Sequence, residues 1–345
     1  MARHISALII SGFVALAVTP LVRVVALRIN AAVVPGDRSV HTHPIPHLGG
    51  VAIYLGFLTA TLALVPRPAS EVWGSLIAGG LALILGIIDD FRPLRPWVKL
   101  AGQVAVALAL ILSGVRIEFL TNPYGGMILP GRFAGPLTVF WVVALMNVVN
   151  LIDGLDGLAA GTVAIASLTL MFVAAQRAQL LVAILAGAIA GSALGFLPYN
   201  FNPAKIFMGD AGAMFLGCAL AVVSVEGALK SAAAIALVPV IALGLPIFDT
   251  AFAIVRRVVN GKSPAAADRG HIHHRLLEMG LTQRQAVVLL YMASGLLGLT
   301  AMLSAELGFR TSGPITLLVI IGMVLAAKAL GVLDLREQRR VNKAR

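Results

Sequence analysis

Apolar runs of roughly 17–25 residues recur along the whole chain, and each is as long as a helix needs to be to cross a lipid bilayer. Lipid offers the backbone no hydrogen-bond partner, so such runs predict membrane-spanning helices. We expect eleven spans, near residues 5–27, 48–66, 72–88, 98–114, 135–150, 157–175, 180–197, 211–225, 232–254, 285–304 and 313–333. No long polar stretch separates them, which predicts an all-α polytopic membrane protein with one domain over residues 1–345.

Composition supports this fold class. The 345 residues are 59% hydrophobic and only 12% charged, and a mean hydropathy of +0.96 excludes an ordinary soluble domain. No small-residue cleavage pattern follows the first run, which predicts a retained helix instead of a removed signal peptide. Cys218, the only cysteine, lies inside an apolar run, so no disulfide framework is expected and plain packing explains it.

Basic residues are unevenly divided between the two ends of the predicted spans. Of the 26 lysines and arginines, 17 lie on the side of the membrane that contains the loop after the first span, and 7 lie on the other side. Arg23 and Lys328 lie within spans. Because positive charge accumulates in cytoplasmic loops, we expect an external N-terminus and a cytoplasmic C-terminus. The basic tail then serves as an anchor on anionic lipid, and nucleic acid is not needed to explain the net charge of +11.

All nine aspartates fall at or near the predicted cytoplasmic face, whereas four of the six glutamates fall on the other face. The aspartates are Asp37, Asp89, Asp90, Asp153, Asp156, Asp210, Asp249, Asp268 and Asp334. Carboxylates at the ends of apolar spans are costly to place and are usually functional. The set therefore predicts one acidic site fed by several loops. Five cytoplasmic loops are expected, near 28–47, 89–97, 151–156, 198–210 and 255–284.

Adjacent Asp89 and Asp90 close an apolar helix, where the helix dipole and their mutual repulsion both oppose ionisation. A protein tolerates this arrangement where a cation or a proton transfer needs both carboxylates. Salt bridges to Arg92 and Arg95 are the simpler alternative. For Asp210, which precedes a helix that begins in small residues, the sequence leaves helix cap and metal ligand equally open.

Polar residues recur every third position in the third cytoplasmic loop, which predicts one polar helix face. They are Asn147, Asn150, Asp153 and Asp156. Such a face beside a membrane binds a base, a ribose or a metal, and polar packing between helices is the alternative.

Six of the seven histidines lie in the first and last cytoplasmic loops. The first loop contains Arg38, His41, His43 and His47, and the last contains Arg269, His271, His273 and His274. Neither cluster has the helical spacing or cysteine partner typical of zinc. Imidazole and guanidinium groups more naturally surround phosphate oxygens.

Two further segments do not fit an uninterrupted membrane-spanning helix. Segment 115–134, on the face opposite the aspartates, contains aromatics and Gly125-Gly126 and predicts a small hairpin that lies on the membrane as a lid. Asp249 comes before the end of the ninth span, which predicts a kink set by Pro246.

A magnesium-dependent phosphoryl transfer uses the kinds of side chain that these loops contain: paired carboxylates, a further acidic ligand, a polar face and several cations. The membrane setting suggests that one substrate is a lipid. A secondary transporter is the rival class, but transporters place charge near the bilayer midplane on broken helices and contain internal repeats. Here most carboxylates mark span ends on one side, and the loop motifs do not repeat.

Five ordered motifs carry a resemblance that covers nearly the whole chain: HTHPIPHLGG, GIIDDF, NVVNLIDGLDGLAAG, NPAKIFMGDAG and SPAAADRGHIHHRLL. Through them the chain resembles the bacterial polyprenyl-phosphate N-acetylhexosamine-1-phosphate transferases, of glycosyltransferase family 4 type. The peptidoglycan branch typically has TPTMGG and three consecutive histidines, where this chain has IPHLGG and HIHH. The resemblance is therefore to the branch that starts teichoic-acid, O-antigen and related glycans.

The resemblance implies that UDP-N-acetylglucosamine and undecaprenyl phosphate give undecaprenyl-diphospho-N-acetylglucosamine and UMP, with Mg²⁺ or Mn²⁺ as cofactor. It also implies the cytoplasmic face of the bacterial inner membrane, eleven spans and a homodimer. Another UDP-N-acetylhexosamine, or UDP-MurNAc-pentapeptide, is the nearest alternative donor.

The resemblance further implies residue roles. Asp210 would bind the metal, Asp90 would help to place the metal or a neighbouring lysine, and Asp89 would contact the attacking lipid phosphate. The residues expected at the nucleotide are Asn150, Asp153, Asp156, Asn200 and Phe207, of which Phe207 would stack on uracil. Those expected at the phosphates and the sugar are Arg38, His41, Arg269, His271, His273 and His274.

Overall fold

The computed structural model describes residues 2–33, 45–66, 68–118, 120–121, 127–229, 237–259, 261, 271–307 and 309–329. Within these ranges the chain is almost wholly helical. The helices are α1 (Ala2–Arg28), α2 (Gly49–Leu64), α3 (Ser70–Phe91), α4 (Pro96–Leu112), α5 (Ala134–Ile152), α6 (Leu158–Gln176), α7 (Leu180–Asn200), α8 (Gly209–Leu229), α9 (Leu237–Ala242), α10 (Gly244–Val259), α11 (Ile272–Glu278), α12 (Gln283–Leu307) and α13 (Phe309–Ala329).

Seven of the described helices are long and apolar enough to cross a membrane: α1, α3, α5, α6, α7, α8 and α12. Three shorter apolar stretches lie in α2, in α4 and within α13. Large apolar side chains such as Phe13, Phe140 and Leu318 are exposed on the outside of the bundle, where lipid would cover them. The prediction of an all-α polytopic membrane protein is therefore confirmed, while the number of eleven spans stays a prediction.

The predicted ninth span is interrupted. Helix α9 ends at Ala242 and α10 begins at Gly244, so the break lies just before Pro246. Proline in the first turn of a helix removes an N–H that has no partner within the helix, which explains why the chain continues as a helix from there. The interruption predicted near Pro246 is confirmed, and it leaves Asp249 inside α10.

Two short hairpins supplement the helices. Strand β1 (Ala32–Val33) pairs antiparallel with β2 (Ile45–Pro46), and β3 (Leu120–Thr121) pairs antiparallel with β4 (Met127–Ile128). The second pair confirms the hairpin expected within segment 115–134.

Helix α8 lies at the centre of the bundle and is almost entirely buried, with α3, α5, α2 and α7 around it. Glycines allow its first turn to approach two neighbours closely. A Cβ atom on Gly50 of α2 would lie 2.3 Å from the backbone nitrogen of Gly212, and one on Gly86 of α3 would lie 2.4 Å from the Cα of Ala211. Since these contacts are to backbone, no side chain can move aside, and the ends of α2, α3 and α8 are held together.

This packing predicts that Gly50→Ala destabilises the bundle, because the added methyl group must displace the backbone of α8, at a cost of about 1–3 kcal/mol. Gly295→Ala in α12 is the matched control, since a Cβ atom there meets nothing within 4 Å. Thermal unfolding of the detergent-purified protein should give a lower midpoint for Gly50→Ala and an unchanged or higher one for Gly295→Ala. Equal midpoints would contradict the packing described for α2 and α8.

Candidate active site

A lysine joins the carboxylates at the centre of the site. Lys99, in the first turn of α4, places its Nζ 2.7 Å from Asp89 Oδ2 and 2.6 Å from Asp210 Oδ2. Asp89 also accepts a hydrogen bond from the backbone N–H of Leu94 at 2.7 Å. The ends of α3 and α8 and the start of α4 are thus linked through one ammonium group.

Lys99 was not among the predicted site residues, although the sequence contained a signal for it. A cation in the first turn of an apolar helix opposes the helix dipole and needs a reason to be there. The alternative of salt bridges from Arg92 and Arg95 to Asp89 and Asp90 is wrong, since both arginines are exposed and form no ion pair within the described ranges.

Asp90 holds the N-terminus of α8. Its Oδ1 accepts a hydrogen bond from the backbone N–H of Asp210 at 2.8 Å, and its Oδ2 accepts one from Ala211 at 3.1 Å. Gly209 is the first residue of the helix and has a φ of +70°. A Cβ atom on Gly209 would lie 2.4 Å from Asp90 Oδ2. These are the contacts of a positioning residue, and the metal-binding role of Asp90 stays a prediction.

The Asp210 side chain points into the site. It accepts hydrogen bonds from Lys99 Nζ and, through Oδ1, from Asn150 Nδ2 at 2.7 Å. The helix-cap role considered for Asp210 is therefore wrong, because Asp90 caps α8 from another helix.

The polar face predicted over residues 147–156 is correct only in its first half. Asn147 and Asn150 lie on α5, which ends at Ile152, and the chain then turns before α6. Gly157, in the left-handed region at φ +81°, makes the turn possible. Asp153 and Asp156 therefore do not extend the helical face of α5.

Asp153 follows the end of α5 and is half-buried. Burial, followed by the negative charge of three neighbouring aspartates, raises the pKa of Asp153 to about 8. No hydrogen bond to its carboxylate from the described residues offsets this charge. A carboxylate that lies beside other carboxylates and accepts no hydrogen bond is stabilised in its charged form when a cation binds to it.

Asp156 and Asn200 connect the third and fourth loops. Asp156 Oδ2 accepts hydrogen bonds at 3.0 Å from Asn202 Nδ2 and from the backbone N–H of Ala204. Asn200 accepts one from the backbone N–H of Gly157 at 3.1 Å and donates one to Ile206 O at 3.1 Å. Their side chains are 4% and 2% exposed, so both shape the loops, and their predicted contact with the nucleotide stays a prediction.

Phe207 lies where the first and fourth loops meet. Its backbone N–H donates to Pro46 O at 2.9 Å, and its carbonyl accepts from the N–H of Gly49 at 2.9 Å. Its ring is half-buried, and the stacking on uracil stays a prediction. His47, beside it, packs edge-on against Phe91 with ring centroids 5.8 Å apart.

The histidines of the fifth loop are positioned by Asp249. Asp249 Oδ2 lies 2.9 Å from His271 Nδ1, and its Oδ1 accepts the backbone N–H of Ile272 at 2.9 Å. His271, His273 and His274 then form a row, with ring centroids 5.6 Å and 4.3 Å apart. Burial, followed by the charge of adjacent groups, lowers the pKa of His273 to about 3, so its imidazole is neutral at pH 7.

The histidine row rests on the third loop. A Cβ atom on Gly154 would lie 2.5 Å from His273 Nε2, so this imidazole packs against the third loop at the residue that follows Asp153. Arg284 Nε of α12 donates to Asn202 O at 2.9 Å and holds the fourth loop from the other side. The described parts of all five predicted loops thus meet at one end of the bundle. Three predicted residues, Arg38, His41 and Arg269, lie outside the described residues.

No group of three or more His, Cys, Asp or Glu side chains in the described ranges is arranged to hold a metal ion by itself. Mg²⁺ does not need one, since it binds one or two carboxylates, keeps several waters and takes the remaining oxygens from substrate phosphates. The hard oxygens of Asp210 and Asp153 fit that requirement, because hydrogen bonds leave a carboxylate further lone pairs. Asp153, without a donor among its described neighbours, fits it best.

The chain belongs to glycosyl transferase family 4, whose profile matches residues 72–228, and its apolar helices make it a membrane-embedded transferase. Over 340 residues it is 37% identical to the probable undecaprenyl-phosphate N-acetylglucosaminyl 1-phosphate transferase of Bacillus subtilis (strain 168), with 97% of this chain and 94% of that protein covered.

Similarity extends to relatives with other names. The chain is 36% identical to the decaprenyl-phosphate N-acetylglucosaminephosphotransferase of Mycolicibacterium smegmatis, covering 82% of this chain and 77% of that one. It is 39% identical to the phospho-N-acetylmuramoyl-pentapeptide-transferase of Desulforudis audaxviator, but only 52% of this chain and 62% of that one are covered. The family resemblance carried by the five motifs is confirmed.

The Asp249 contacts predict that Asp249→Ala loosens α11, because the mutation removes both the partner of His271 and the acceptor of the Ile272 N–H. Hydrogen–deuterium exchange of the peptide covering Ile272–Glu278 should become faster, while that of α3 stays unchanged. Glu278→Ala is the control, since Glu278 makes only an exposed ion pair with Arg275. Unchanged exchange in Asp249→Ala would show that α11 is held by other contacts.

Proposed function

We propose that this chain transfers N-acetylglucosamine-1-phosphate from UDP-N-acetylglucosamine to undecaprenyl phosphate, with UMP as the second product. The observation that carries the proposal is the convergence of Asp89, Lys99 and Asp210 at the point where the described loops meet. The similarity to the Bacillus subtilis protein, whose name states this donor group and this lipid, supports the choice of substrates.

The lipid phosphate would act directly as the nucleophile. The second pKa of a phosphate monoester is about 6, so its oxygen is already largely ionised at neutral pH and needs no base. That oxygen attacks the β-phosphorus, the bond from this phosphorus to the bridging oxygen breaks, and UMP leaves with the bridging oxygen. One displacement predicts inversion of configuration at phosphorus, and retention would indicate a covalent intermediate on the enzyme instead.

The barrier in this reaction is the repulsion between two anions, and the site residues address that barrier. Lys99 places a positive charge between Asp89 and Asp210, close to where the phosphates must meet. Asp89, already engaged with Lys99 and the backbone of Leu94, serves to position that ammonium group. Asn150 holds Asp210 from the opposite side.

We include Mg²⁺ in the proposal, with Asp210 and Asp153 as the residues that would hold it. When bound, Mg²⁺ supplies Lewis-acid stabilisation of the charge on the phosphates. The neutral His273, with His271 and His274 beside it, lies over the third loop and is suited to hydrogen-bond the sugar or its phosphate.

The site is proposed to face the cytoplasm of a bacterial inner membrane, with eleven spans and the N-terminus outside. The excess of lysines and arginines in the loops on the side of the site supports this orientation. Because the only cysteine, Cys218, is buried, Lys205→Cys introduces a single reactive thiol in the exposed part of the fourth loop. Labelling of that thiol by a membrane-impermeant reagent in sealed cells would contradict the orientation.

The direct test is release of UMP by the purified protein. UDP-N-acetylglucosamine, undecaprenyl phosphate and Mg²⁺ should all be required, EDTA should stop release, and added Mg²⁺ should restore it. A panel with UDP-N-acetylgalactosamine and UDP-MurNAc-pentapeptide measures the choice of sugar. Faster release from another donor would replace N-acetylglucosamine in the proposal, and no release from any donor would refute the reaction.

The role given to Lys99 predicts that Lys99→Gln lowers kcat by about 10²–10³-fold, as expected when one preorganised charge is lost from a transferring phosphate. KM for the nucleotide should change less. Lys328→Gln is the control, since Lys328 is an exposed lysine on α13. Near-normal kcat in Lys99→Gln, with UMP release by the unmodified protein established, would remove Lys99 from the mechanism.

A further inference from the structure

Helix α12 brings polar side chains to the third and fourth loops, although the sequence predicted no site residue on it. The helix begins at Gln283, after the last of the five motifs, and lies outside the residues 72–228 that the family profile matches. Gln283 Oε1 accepts a hydrogen bond from Asn202 Nδ2 at 2.6 Å. About two turns later, the Tyr291 hydroxyl donates a hydrogen bond of 2.5 Å to Gly157 O.

Gly157 is the residue at which the third loop turns into α6. Its φ of +81° and ψ of −12° lie in the left-handed region, which glycine enters and leaves without a steric penalty. Two neighbouring helices restrict that freedom. The Gly157 N–H donates to Asn200 Oδ1 of α7 at 3.1 Å, and its carbonyl accepts the hydroxyl of Tyr291. These two groups belong to the peptide units on either side of the Gly157 Cα, so both of its dihedral angles are held from outside the turn.

Helix α6 leaves a space for the ring of Tyr291. Gly161, in the first turn of α6, has no side chain, and the ring of Tyr291 occupies the volume that a Cβ atom there would need. The N–H of Gly161 also donates to Gly157 O, at 3.0 Å. A carbonyl oxygen has two lone pairs, so it accepts both donors. Tyr291 therefore ties α12 to the start of α6 through its ring and its hydroxyl together.

The turn that Tyr291 holds contains two residues of the proposed site. Residues 153–157 connect the end of α5 to the start of α6, and they include Asp153 and Asp156. Asp156 is also bonded to Asn202 and to the backbone of Ala204, whereas no hydrogen bond from the described residues holds the carboxylate of Asp153. The path of the backbone through this turn therefore decides where the Asp153 carboxylate lies.

We propose that Tyr291 is a positioning residue for the transfer reaction, because its hydroxyl fixes Gly157 and thereby keeps the third loop in the conformation that binds the nucleotide and Mg²⁺. This inference rests on the proposed function. Tyr291 acts through the loop and not on the reacting atoms, since its hydroxyl is engaged with Gly157. Loss of the hydroxyl should therefore weaken binding of the UDP-sugar more than it slows the chemical step.

The test compares Tyr291→Phe with Tyr54→Phe. Tyr54 is the matched control, since its hydroxyl also donates to a backbone carbonyl, Leu76 O at 3.0 Å, but joins α2 to α3 away from the loops. In Tyr291→Phe, KM for UDP-N-acetylglucosamine should rise about three- to tenfold, the scale of one hydrogen bond. Its kcat should change less, and its KM for undecaprenyl phosphate should stay the same. Tyr54→Phe should leave all three constants unchanged, even if both variants have lower thermal midpoints.

A binding measurement makes the comparison independent of turnover. Calorimetric titration of the full-length protein with UDP-N-acetylglucosamine and Mg²⁺, without the lipid substrate, should give a Kd that rises by the same factor in Tyr291→Phe only. Hydrogen–deuterium exchange of the peptide covering residues 153–158 should become faster in the same variant. If the unmodified protein bound the nucleotide but released no UMP, the transfer reaction would be refuted, and the Kd values would still decide the role of Tyr291.

A second variant displaces Tyr291 while its hydroxyl is retained. Gly161→Ala places a methyl group in the volume of the ring, so it should raise the same KM and Kd. Gly295→Ala, on α12, is its control, because a Cβ atom there meets nothing within 4 Å. If thermal unfolding shows that Tyr291→Phe does not fold, this pair carries the test. Unchanged KM and Kd in a folded Tyr291→Phe would overturn the proposal, and so would an equal rise in Tyr54→Phe.

Discussion

The site depends on how the N-terminus of α8 is held. Four backbone N–H groups at the start of a helix have no partner within it, and here they would be buried at the end of a membrane bundle. Asp90, from α3, supplies acceptors for two of them, and the glycines at positions 50 and 86 allow α2 and α3 to approach closely enough for this contact. This contact fixes the position of Asp210. Asp210 in turn positions Lys99 and Asn150, which donate hydrogen bonds to it.

The charges of the site are distributed between two functions. Asp90, Asp156 and Asp249 use their carboxylates to hold backbone and side-chain groups of other segments. Asp153 differs from these three because none of the described residues donates a hydrogen bond to its carboxylate. An acidic cluster of this kind contains both the supports of a site and the groups available to a ligand, and only the hydrogen bonds distinguish them.

The sequence allowed the fold class to be predicted because length and hydropathy alone define a membrane span. It also allowed the convergence of the loops to be predicted, since carboxylates confined to one side of a membrane bundle are costly unless they serve a common site. The sequence could not distinguish aspartates that hold other segments from aspartates available to a ligand. Asp153 and Asp156 belong to the same three-residue repeat, and only the turn after Ile152 gives them different environments. Lys99 was missed because it is separated from Asp89 and Asp210 along the chain and becomes their partner only when α3, α4 and α8 pack.

The contact between Gly154 and His273 has a consequence for which side chains these two positions accept. The His273 imidazole occupies the space that a side chain at position 154 would need, because a Cβ atom there would lie 2.5 Å from its Nε2. A larger residue at 154 therefore requires the side chain at 273 to be smaller or to turn away. Turning away would separate His273 from His271 and His274, so the third loop restricts how the three imidazoles can be arranged.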